Sequence, residues 1–326
     1  MAKKKTTAKK GTTAKKKSAR RSAKPYPLPF TTRKIPWDQR KGAEVWPNGA
    51  RMAAVLYTAP EQWRWDRNES FVTPGVFRTD DEKRPSLSSR SAVGYGFEIG
   101  MYRIRDILKE HDYKLSLWTT GNSAEQYPEI IREFSELGHE VNAHGYSEGS
   151  PISNMTREEQ RKDIKKTLKV LTDVTGKRPR AWIGPGAMCN VDTVELLAEE
   201  GILCHADLQD DELPYFIDVK GKTLVEVPFR MVGAINDYWL AQWHYRSTKE
   251  ILSYVLEAFD AYYREASVRP LLFNYGTHPF VSGRADTGWV LSEVLRHIKQ
   301  HKDVWIATYC EIADWWMDRF GKGYKF

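Results

Sequence analysis

The stretch that decides the fold is GHEVNAHGYSEGSPISNMTREEQRKDIKKTLKVLTDVTGKRPRAWIGPG, residues 138–186. A short predicted strand at 139–143 leads directly into His144, and after a polar turn a long helical segment follows. That segment begins with Thr156 and Glu159 at capping-box spacing and ends at a glycine, and a second predicted strand comes next. This order predicts a β–α–β unit, in which a helix joins two parallel strands.

The same alternation continues in both directions along the chain. Apolar runs and helical periodicities follow one another about six or seven times, with short connections, over residues 51–326. Most of the runs are apolar throughout, which is typical of strands covered on both faces. The pattern therefore predicts an α/β barrel with its helices outside, and a doubly wound open sheet is the alternative. No glycine-rich phosphate loop follows a strand, which argues against a nucleotide-binding Rossmann fold.

Composition and charge indicate an ordinary globular protein with a basic extension. The chain has 326 residues, of which 41% are hydrophobic and 29% charged. Its net charge of +7 comes from residues 1–24, which hold nine Lys and two Arg and no acid. Without these eleven charges the remaining chain is mildly acidic, with a net charge of −4. The bulk of the chain is therefore not expected to be a nucleic-acid surface.

Three segments are expected along the chain. Residues 1–24 are predicted to be a disordered Lys-rich tail, because they contain almost no apolar side chains. Any contact with nucleic acid is expected only through this tail. Residues 25–50 are Pro-rich and predict an irregular N-terminal arm, and residues 51–326 form the barrel domain.

The sequence also favours a cytoplasmic location. It has no signal-peptide pattern, no apolar run long enough for a membrane span, and three widely spaced cysteines that fit a reducing compartment. Aromatic-rich surfaces are compatible with a homo-oligomer.

Titratable side chains recur where the predicted strands end. They include Glu61, His144, Glu148, Asp237 and His278. Each one alone is explained as a packed, capping or solvated residue. In parallel α/β folds, however, the carboxyl ends of the strands meet at one face, and the active site lies there. The convergence of these groups therefore predicts an active site.

The chain resembles the polysaccharide deacetylase superfamily, carbohydrate esterase family 4. The resemblance covers roughly residues 45–320 and is carried by the stretch quoted above, by TVELLAEEGI and by NYGTHPF. It implies a distorted (β/α)7 barrel. The family motifs are altered, however. Thr58 and Ala59 stand where the family has two Asp, Glu148 stands where it has a second metal-binding His, and Gly184 precedes Pro185 where it has an Arg.

Within the superfamily the chain resembles more closely the allantoinase-like and cyclic-imide-hydrolase-like proteins. The similarity lies in HGY at 144–146, DDELPY at 210–215, VPF at 227–229 and ND at 236–237. It implies hydrolysis of a non-peptide carbon–nitrogen bond in a small amide, ureide or cyclic imide, so the expected partner is a small-molecule substrate.

For amide hydrolysis we assign three catalytic residues. Glu61 is the candidate general base for water, provided that burial raises its pKa, and His278 is the candidate general acid or oxyanion donor. Asp237 is expected to orient His278, a role for which Asp210 is the alternative. The predicted substrate-binding residues are Trp63, Trp65, Trp182, Asp210, Asn236 and Trp239.

The presence of a metal is left open by the sequence. His144 and Glu148, together with Glu61, could hold one divalent ion such as Zn or Mn with a position open for water, and a metal-free enzyme is the alternative. Two other functions remain open. One is a metal-dependent N-deacetylase of an acetylated sugar or glycan. The other is a catalytically degraded barrel that acts as a binding module.

Overall fold

The computed structural model describes residues 28–65, 87–230, 235–243 and 246–321. The predicted disordered tail, residues 1–24, lies outside these described residues. The strands are β1 Thr31–Arg33, β2 Met52–Thr58, β3 Ser116–Thr119, β4 Glu140–Ala143, β5 Ala181–Trp182, β6 Cys204–His205, β7 Tyr215–Val219, β8 Lys222–Glu226, β9 Leu271–Thr277 and β10 Val304–Ile306. The helices are α1 Leu87–Tyr95, α2 Met101–Glu110, α3 Gly121–Gln126, α4 Pro128–Glu136, α5 Arg157–Thr175, α6 Val191–Glu199, α7 Thr248–Glu265, α8 Pro279–Ser282, α9 Gly288–Lys299 and α10 Tyr309–Phe320. Among the described helices, none is long and apolar enough to cross a membrane.

The ten described strands form one mixed sheet in the order β1-β7-β8-β6-β5-β4-β3-β2. Strand β2 pairs along its whole length with β9 on one edge. Its other edge is shared, with β10 along the first half and β3 along the last two residues. All of these pairings are parallel except those made by β7. The shared edge of β2 is the distortion that separates this fold from a regular barrel.

Two apolar layers lie on the two faces of the sheet. Along β2, Met52, Ala54 and Leu56 point outward into the cluster formed with the helices. The alternate residues Val55 and Tyr57 point inward with Ala53, into the cluster that fills the barrel. Every residue of β2 is buried, which explains why its sequence is a continuous apolar run.

The predicted helix between β4 and β5 forms as expected. In α5, Thr156 and Glu159 make the capping box, and Gly176 ends the helix in the left-handed region at φ 71°. The stretch SAEQYPEIIREFSELG, residues 123–138, has the pattern of one helix, but the structure divides it in two, because α3 ends at Gln126 and α4 begins at Pro128. Proline lacks the N–H that a continuous helix would need at that position.

Two strands were not expected from the sequence. The segment between β6 and β8 was interpreted as a loop, but β7 pairs there with β8 in a hairpin closed by Lys220 and Gly221, both at positive φ. This hairpin in turn pairs with β1, which lies in the N-terminal arm. The arm was predicted to be irregular, and this prediction is wrong for residues 31–33, which form a strand.

Candidate active site

A small cavity of about 140 Å³ opens at the carboxyl ends of the central strands. Its walls come from the loops after β2, β4 and β5, from the turn Tyr238–Trp243 and from the end of β9. The lining residues are Tyr57, Glu61, Trp63, His144, Glu148, Ile183, Gly186, Ala187, Phe229, Asn236, Tyr238, Trp239 and His278. The cavity is therefore mostly aromatic and apolar, with a few titratable groups on one side.

Two carboxylates converge on His144 in this cavity. The Nε2 atom of His144 lies 2.9 Å from Oε2 of Glu148 and 3.3 Å from Oε1 of Glu61. One ligand atom from each of the three residues lies within 4.8 Å of the other two. The side chains of His144, Glu61 and Glu148 are only 5%, 10% and 15% exposed, respectively, so these charges are largely shielded from water.

The backbone after β4 brings Glu148 back to His144. Gly145 adopts φ 63°, and a Cβ at this position would approach Pro185 to 2.7 Å, so the turn requires glycine. The N–H of Glu148 then donates to the carbonyl oxygen of Gln62 at 3.0 Å, which ties this loop to the loop that carries Glu61. The two loops therefore set the Glu61–His144–Glu148 geometry together.

The hydrogen bonding of His144 defines its tautomer. Its Nδ1 lies 2.9 Å from the carbonyl oxygen of Ile183, which can only accept, so Nδ1 carries a proton. The Nε2 atom consequently faces the two carboxylates. Despite the short distances, Nε2 of His144 and Oε2 of Glu148 make no well-directed hydrogen bond with any described residue.

A second pair, His278 and Asp237, lies on the opposite side of Glu61. The Nδ1 of His278 lies 2.7 Å from Oδ1 of Asp237, and its Nε2 lies 3.6 Å from Oε1 of Glu61. The other oxygen of Asp237 accepts from the backbone N–H of His278 and from both the N–H and the hydroxyl of Ser282. Asp237 is thus held by donors on α8 and its N-cap, and it fixes the orientation of the imidazole.

Burial and mutual charge perturb the pKa values of these groups in opposite directions. Burial and repulsion by Glu61 raise the pKa of Glu148 to about 7. Burial would also raise the pKa of Glu61, but attraction to His278 and His144 prevails and lowers it to about 2. Burial disfavours charge on His278, yet Glu61 and Asp237 raise its pKa to about 10. The pKa of His144 is raised well above its usual value, because attraction to Glu148 and Glu61 outweighs the effect of burial.

These residues fit a divalent metal. An imidazole nitrogen with a fixed tautomer and two carboxylates is a ligand set suited to Zn or Mn. The undirected buried atoms of His144 and Glu148 are what a site assembled around a cation would show in the absence of that cation. His144 also donates its other ring N–H to a carbonyl, as metal-ligating histidines generally do.

Comparison with known proteins connects this site to a family. The sequence model of the family described as polysaccharide deacetylase matches residues 93–204. The chain carries a polysaccharide deacetylase domain. A peptidoglycan deacetylase of Helicobacter pylori is 26% identical over 252 residues, which are 68% of this chain and 85% of that protein.

Two solved structures are similar in fold to most of the chain. A structure from Pseudomonas aeruginosa PAO1, described as a probable polysaccharide deacetylase, is 26% identical with a TM-score of 0.76 and covers 85% of this chain and 94% of its own. The Puue allantoinase is 27% identical with the same TM-score and covers 85% and 93%. The predicted fold class and family, with an allantoinase among the structural neighbours, are confirmed. The prediction of a hydrolase that acts on non-peptide carbon–nitrogen bonds is also confirmed.

The structure brings most of the predicted site residues together. Those that line the cavity are Glu61, Trp63, His144, Glu148, Asn236, Trp239 and His278, and Asp237 lies directly behind His278. Thr58 and Ala59, which replace the two Asp of the family, offer no carboxylate at the end of β2. Glu61 is the acid that the structure places in the cavity from this loop.

Three predicted substrate-binding residues lie elsewhere. Trp182 is fully buried in the apolar layer between the sheet and the helices, because its side chain points to the outer face of β5. Asp210 forms an ion pair with Lys34 at 2.7 Å and accepts from the hydroxyl of Tyr215. The indole N–H of Trp65 donates to Gln62, and its ring packs against the outer apolar layer.

Sequence reasoning also missed several residues. Tyr57, Ile183, Phe229 and Tyr238 line the cavity, although in sequence they are unremarkable apolar or aromatic positions. A buried array formed by His205, Asp207 and Glu226 lies next to the loop after β5. Of these, only Asp207 was noted, as a polar residue after a strand. The His205 pairing with Glu226 joins two parallel strands, β6 and β8, and no local pattern indicates it.

Proposed function

We propose that this protein hydrolyses a carbon–nitrogen bond in a small amide, ureide or cyclic imide. The observation that carries the proposal is the small, aromatic-walled cavity, of about 140 Å³, in which Glu61, His144, Glu148 and His278 meet. Typical pockets for drug-sized ligands have volumes of about 300–1,000 Å³, so this cavity suits a smaller molecule than a glycan segment. The 27% identity to an allantoinase of similar fold supports the same substrate class.

In the proposed reaction, Glu61 acts as the general base. Its carboxylate takes a proton from a water molecule, and the water oxygen forms a bond to the carbonyl carbon of the substrate. The rise in the pKa of Glu61 expected from burial does not occur, because attraction to His278 and His144 lowers it to about 2. Glu61 is therefore ionised at neutral pH but is a weaker base than an unperturbed carboxylate. The electron pair of the carbonyl moves onto its oxygen, which gives a tetrahedral oxyanion.

His278 is the general acid that completes the cleavage. Asp237 accepts from Nδ1 of His278, so the proton that can be transferred is the one on Nε2, which faces Glu61 and the cavity. This proton passes to the leaving nitrogen as the carbon–nitrogen bond breaks and the oxyanion collapses to a carboxyl group. The proton held by Glu61 then returns to His278, so one water is consumed for each bond broken.

A divalent ion belongs to the same proposal. Glu61, His144 and Glu148 are the residues that would hold it, and it would supply polarisation of the carbonyl or of the attacking water.

The second candidate function is metal-dependent N-deacetylation of an acetylated sugar. The observation that favours it is the convergence of three metal ligands in a chain that is 26% identical to a peptidoglycan deacetylase over 68% of its length. The replacement of the two family Asp by Thr58 and Ala59 counts against it.

A substrate screen separates the two candidates. Ureides, cyclic imides, formamides and acetylated sugars are each incubated with the protein, with and without added Zn²⁺ or Mn²⁺, and released amine or acetate is measured. We expect turnover of a small cyclic or ureide substrate, and loss of at least about 100-fold in the Glu61→Gln variant. The control is Glu133→Gln, because Glu133 on α4 is a half-buried acid that is ion-paired with Arg105 and does not line the cavity. Release of acetate from acetylated sugars alone would replace the first candidate by the second.

The remaining expectations depend on the substrate class. A cytoplasmic location is proposed because a small amide or ureide is a soluble metabolite. A homo-oligomer and nucleic-acid contact through residues 1–24 remain predictions from the sequence.

A further inference from the structure

Tyr57 occupies the floor of the cavity. It is the last but one residue of β2, and it points inward with Val55 and Ala53 into the barrel. Its ring meets Phe229 edge-on at 5.4 Å between centroids, and both residues line the cavity. Neither catalytic role assigned above requires Tyr57, so its polar hydroxyl in this position calls for an explanation.

The neighbouring strand leaves room for the phenol. Gly276 of β9 lies beside Tyr57 in the sheet, and a Cβ on Gly276 would come within 2.0 Å of the Tyr57 hydroxyl oxygen. Any larger residue at 276 would displace the ring. The backbone therefore accommodates the phenol beside Gly276, which precedes His278 by two residues in the chain.

The orientation of the Tyr57 hydroxyl is set by Asn236. The backbone N–H of Trp239 donates to Oδ1 of Asn236 at 2.9 Å, which identifies the other amide atom as Nδ2, a donor. This Nδ2 lies 3.4 Å from the hydroxyl oxygen of Tyr57. Tyr57 therefore accepts from Asn236, and its own proton must point elsewhere.

Among the described residues, no acceptor for this proton is found. Burial raises the pKa of Tyr57 well above its ordinary value, so the phenol keeps its proton at any physiological pH. A buried hydroxyl that accepts from the protein and has a proton to donate, in the floor of a cavity, is suited to an acceptor on a ligand.

We propose that the Tyr57 hydroxyl donates a hydrogen bond to the carbonyl oxygen of the substrate and stabilises the oxyanion formed in hydrolysis, with Asn236 as its positioning residue. This inference rests on the proposed amide hydrolysis. The oxygen that receives the carbonyl electron pair gains negative charge as water attacks, and a fixed O–H in a shielded cavity stabilises that charge more than it stabilises the neutral carbonyl. The substrate class it selects has a carbonyl group directly bonded to nitrogen, in a molecule small enough to reach the floor.

The test is Tyr57→Phe, which removes only the hydroxyl and keeps the ring. We expect kcat to fall about 10²–10³-fold with KM changed less than about 5-fold, because the donor acts mainly in the transition state. The matched control is Tyr113→Phe, since Tyr113 is also buried, its hydroxyl has no hydrogen-bond partner among the described residues, and it does not line the cavity. Equal kcat in Tyr57→Phe and wild type would overturn the inference.

A double-mutant cycle tests the positioning role. Asn236→Ala should lower kcat less than Tyr57→Phe does, and the combined variant should be no slower than Tyr57→Phe alone, since Asn236 acts through the hydroxyl. Additive losses would show that Asn236 acts independently and would overturn its positioning role.

A binding measurement separates this inference from the proposed function. Hydantoin, a small ring with two carbonyl groups bonded to nitrogen, is titrated into each full-length variant and followed by NMR. We expect binding to wild type that is weakened several-fold by Tyr57→Phe and unchanged by Tyr113→Phe. If wild type turns over no member of the substrate panel, the proposed function fails, and the hydantoin affinities alone decide on Tyr57. Equal affinities, or no binding to wild type, would overturn the hydrogen bond from Tyr57.

Discussion

Two clusters within this barrel each combine one histidine with two carboxylates. In the buried array, His205 bonds Glu226 through Nδ1 and Asp207 through Nε2. The remaining oxygens of the two acids accept from the backbone N–H groups of Leu208 and Gly184. Each side-chain polar atom of the array therefore has a partner, and the side chains of His205, Asp207 and Glu226 are fully buried.

The cavity cluster, formed by Glu61, His144 and Glu148, differs from the buried array because some of its polar atoms lack a directed hydrogen bond. His144 also lies between two acids, but Nε2 of His144 and Oε2 of Glu148 lack a directed hydrogen bond among the described residues. A closed network of hydrogen bonds leaves nothing for a ligand, whereas buried atoms without directed partners are available to a substrate or ion. The comparison shows that a structural cluster is distinguished from a reactive one by whether its buried polar atoms all have hydrogen-bond partners, more than by its residue types.

The largest expected effect is the loss of turnover when the general acid of the cavity, His278, is replaced. His278→Gln should lower turnover about 10²–10⁴-fold, because the leaving nitrogen then has no proton donor. The melting temperature should also fall, because the buried carboxylates of Glu61 and Asp237 lose a cationic partner, although Asp237 keeps its bonds to Ser282. Steady-state kinetics with a melting curve check both. Turnover within about threefold of wild type would contradict the role of His278.

In the buried array the main effect of losing the histidine is expected on stability. His205→Gln should lower the free energy of unfolding by about 3–5 kcal/mol, because it leaves the buried carboxylates of Asp207 and Glu226 without their cationic partner. Urea unfolding measures this loss. The control is His111→Gln, since His111 is only partly buried and bonds one hydroxyl, that of Ser292. A loss below about 1 kcal/mol for His205→Gln would mean that the array is not a structural cluster.

The two clusters are also connected through one loop. Asp207 holds the N–H of Gly184, and the preceding residue, Ile183, supplies the carbonyl that fixes the tautomer of His144. The folded fraction of His205→Gln is therefore expected to lose part of its activity as well, by an amount smaller than in His278→Gln.

Much of the fold was predictable from the sequence, because it depends on local patterns. The capping box at Thr156, the glycine that ends α5 and the apolar run of β2 were each identified. The approach of Glu61, His144 and His278 followed from the rule that the carboxyl ends of parallel strands meet. The hairpin of β7 and β8 was missed, although its two-residue turn, with Lys220 and Gly221 at positive φ, is of a common hairpin type.

The predicted substrate-binding residues that lie outside the cavity were misplaced because side-chain direction and contacts distant in sequence cannot be read from local patterns. Trp182 and Ile183 are both apolar strand-end residues, and only the structure shows that Trp182 faces the helices while Ile183 faces the cavity. Asp210 was assigned to the site because its acidic loop resembles that of a family branch. Its partner Lys34 is 176 residues away in the arm, and no periodicity connects the two.

Metal addition should produce a smaller effect that is confined to the cavity cluster. Zn²⁺ at 100 times its Kd should stabilise the native protein by about 2.7 kcal/mol, seen as a rise in melting temperature, and a chelator should reverse it. His144→Ala should abolish the response. His301→Ala is the control, because Asp260, His297 and His301 form a separate, half-exposed group of possible ligands on α7, α9 and the residues after it. A response lost in His301→Ala and kept in His144→Ala would move the ion away from the cavity.

The same titration should depend on pH. An ion requires ionised Glu148 and a His144 whose Nε2 has no proton, and the pKa values of both groups are raised in the protein. Protons must therefore leave when the ion binds, so affinity should rise as pH increases from about 6 to 8. Affinity that falls over this range would contradict ligation by these two groups.

The smallest expected effect distinguishes two neighbouring tryptophans. Trp63 lines the cavity, whereas Trp65 packs outside it with its indole N–H on Gln62. Trp63→Phe should raise KM several-fold, because it removes part of an apolar wall that contacts the substrate, while Trp65→Phe should leave KM unchanged within about twofold. Both substitutions keep an aromatic ring, so a change in folding is not expected to mask the difference. If both variants raise KM equally, Trp65 also contacts the substrate. The substrate-binding wall would then extend beyond the residues that line the cavity in this structure.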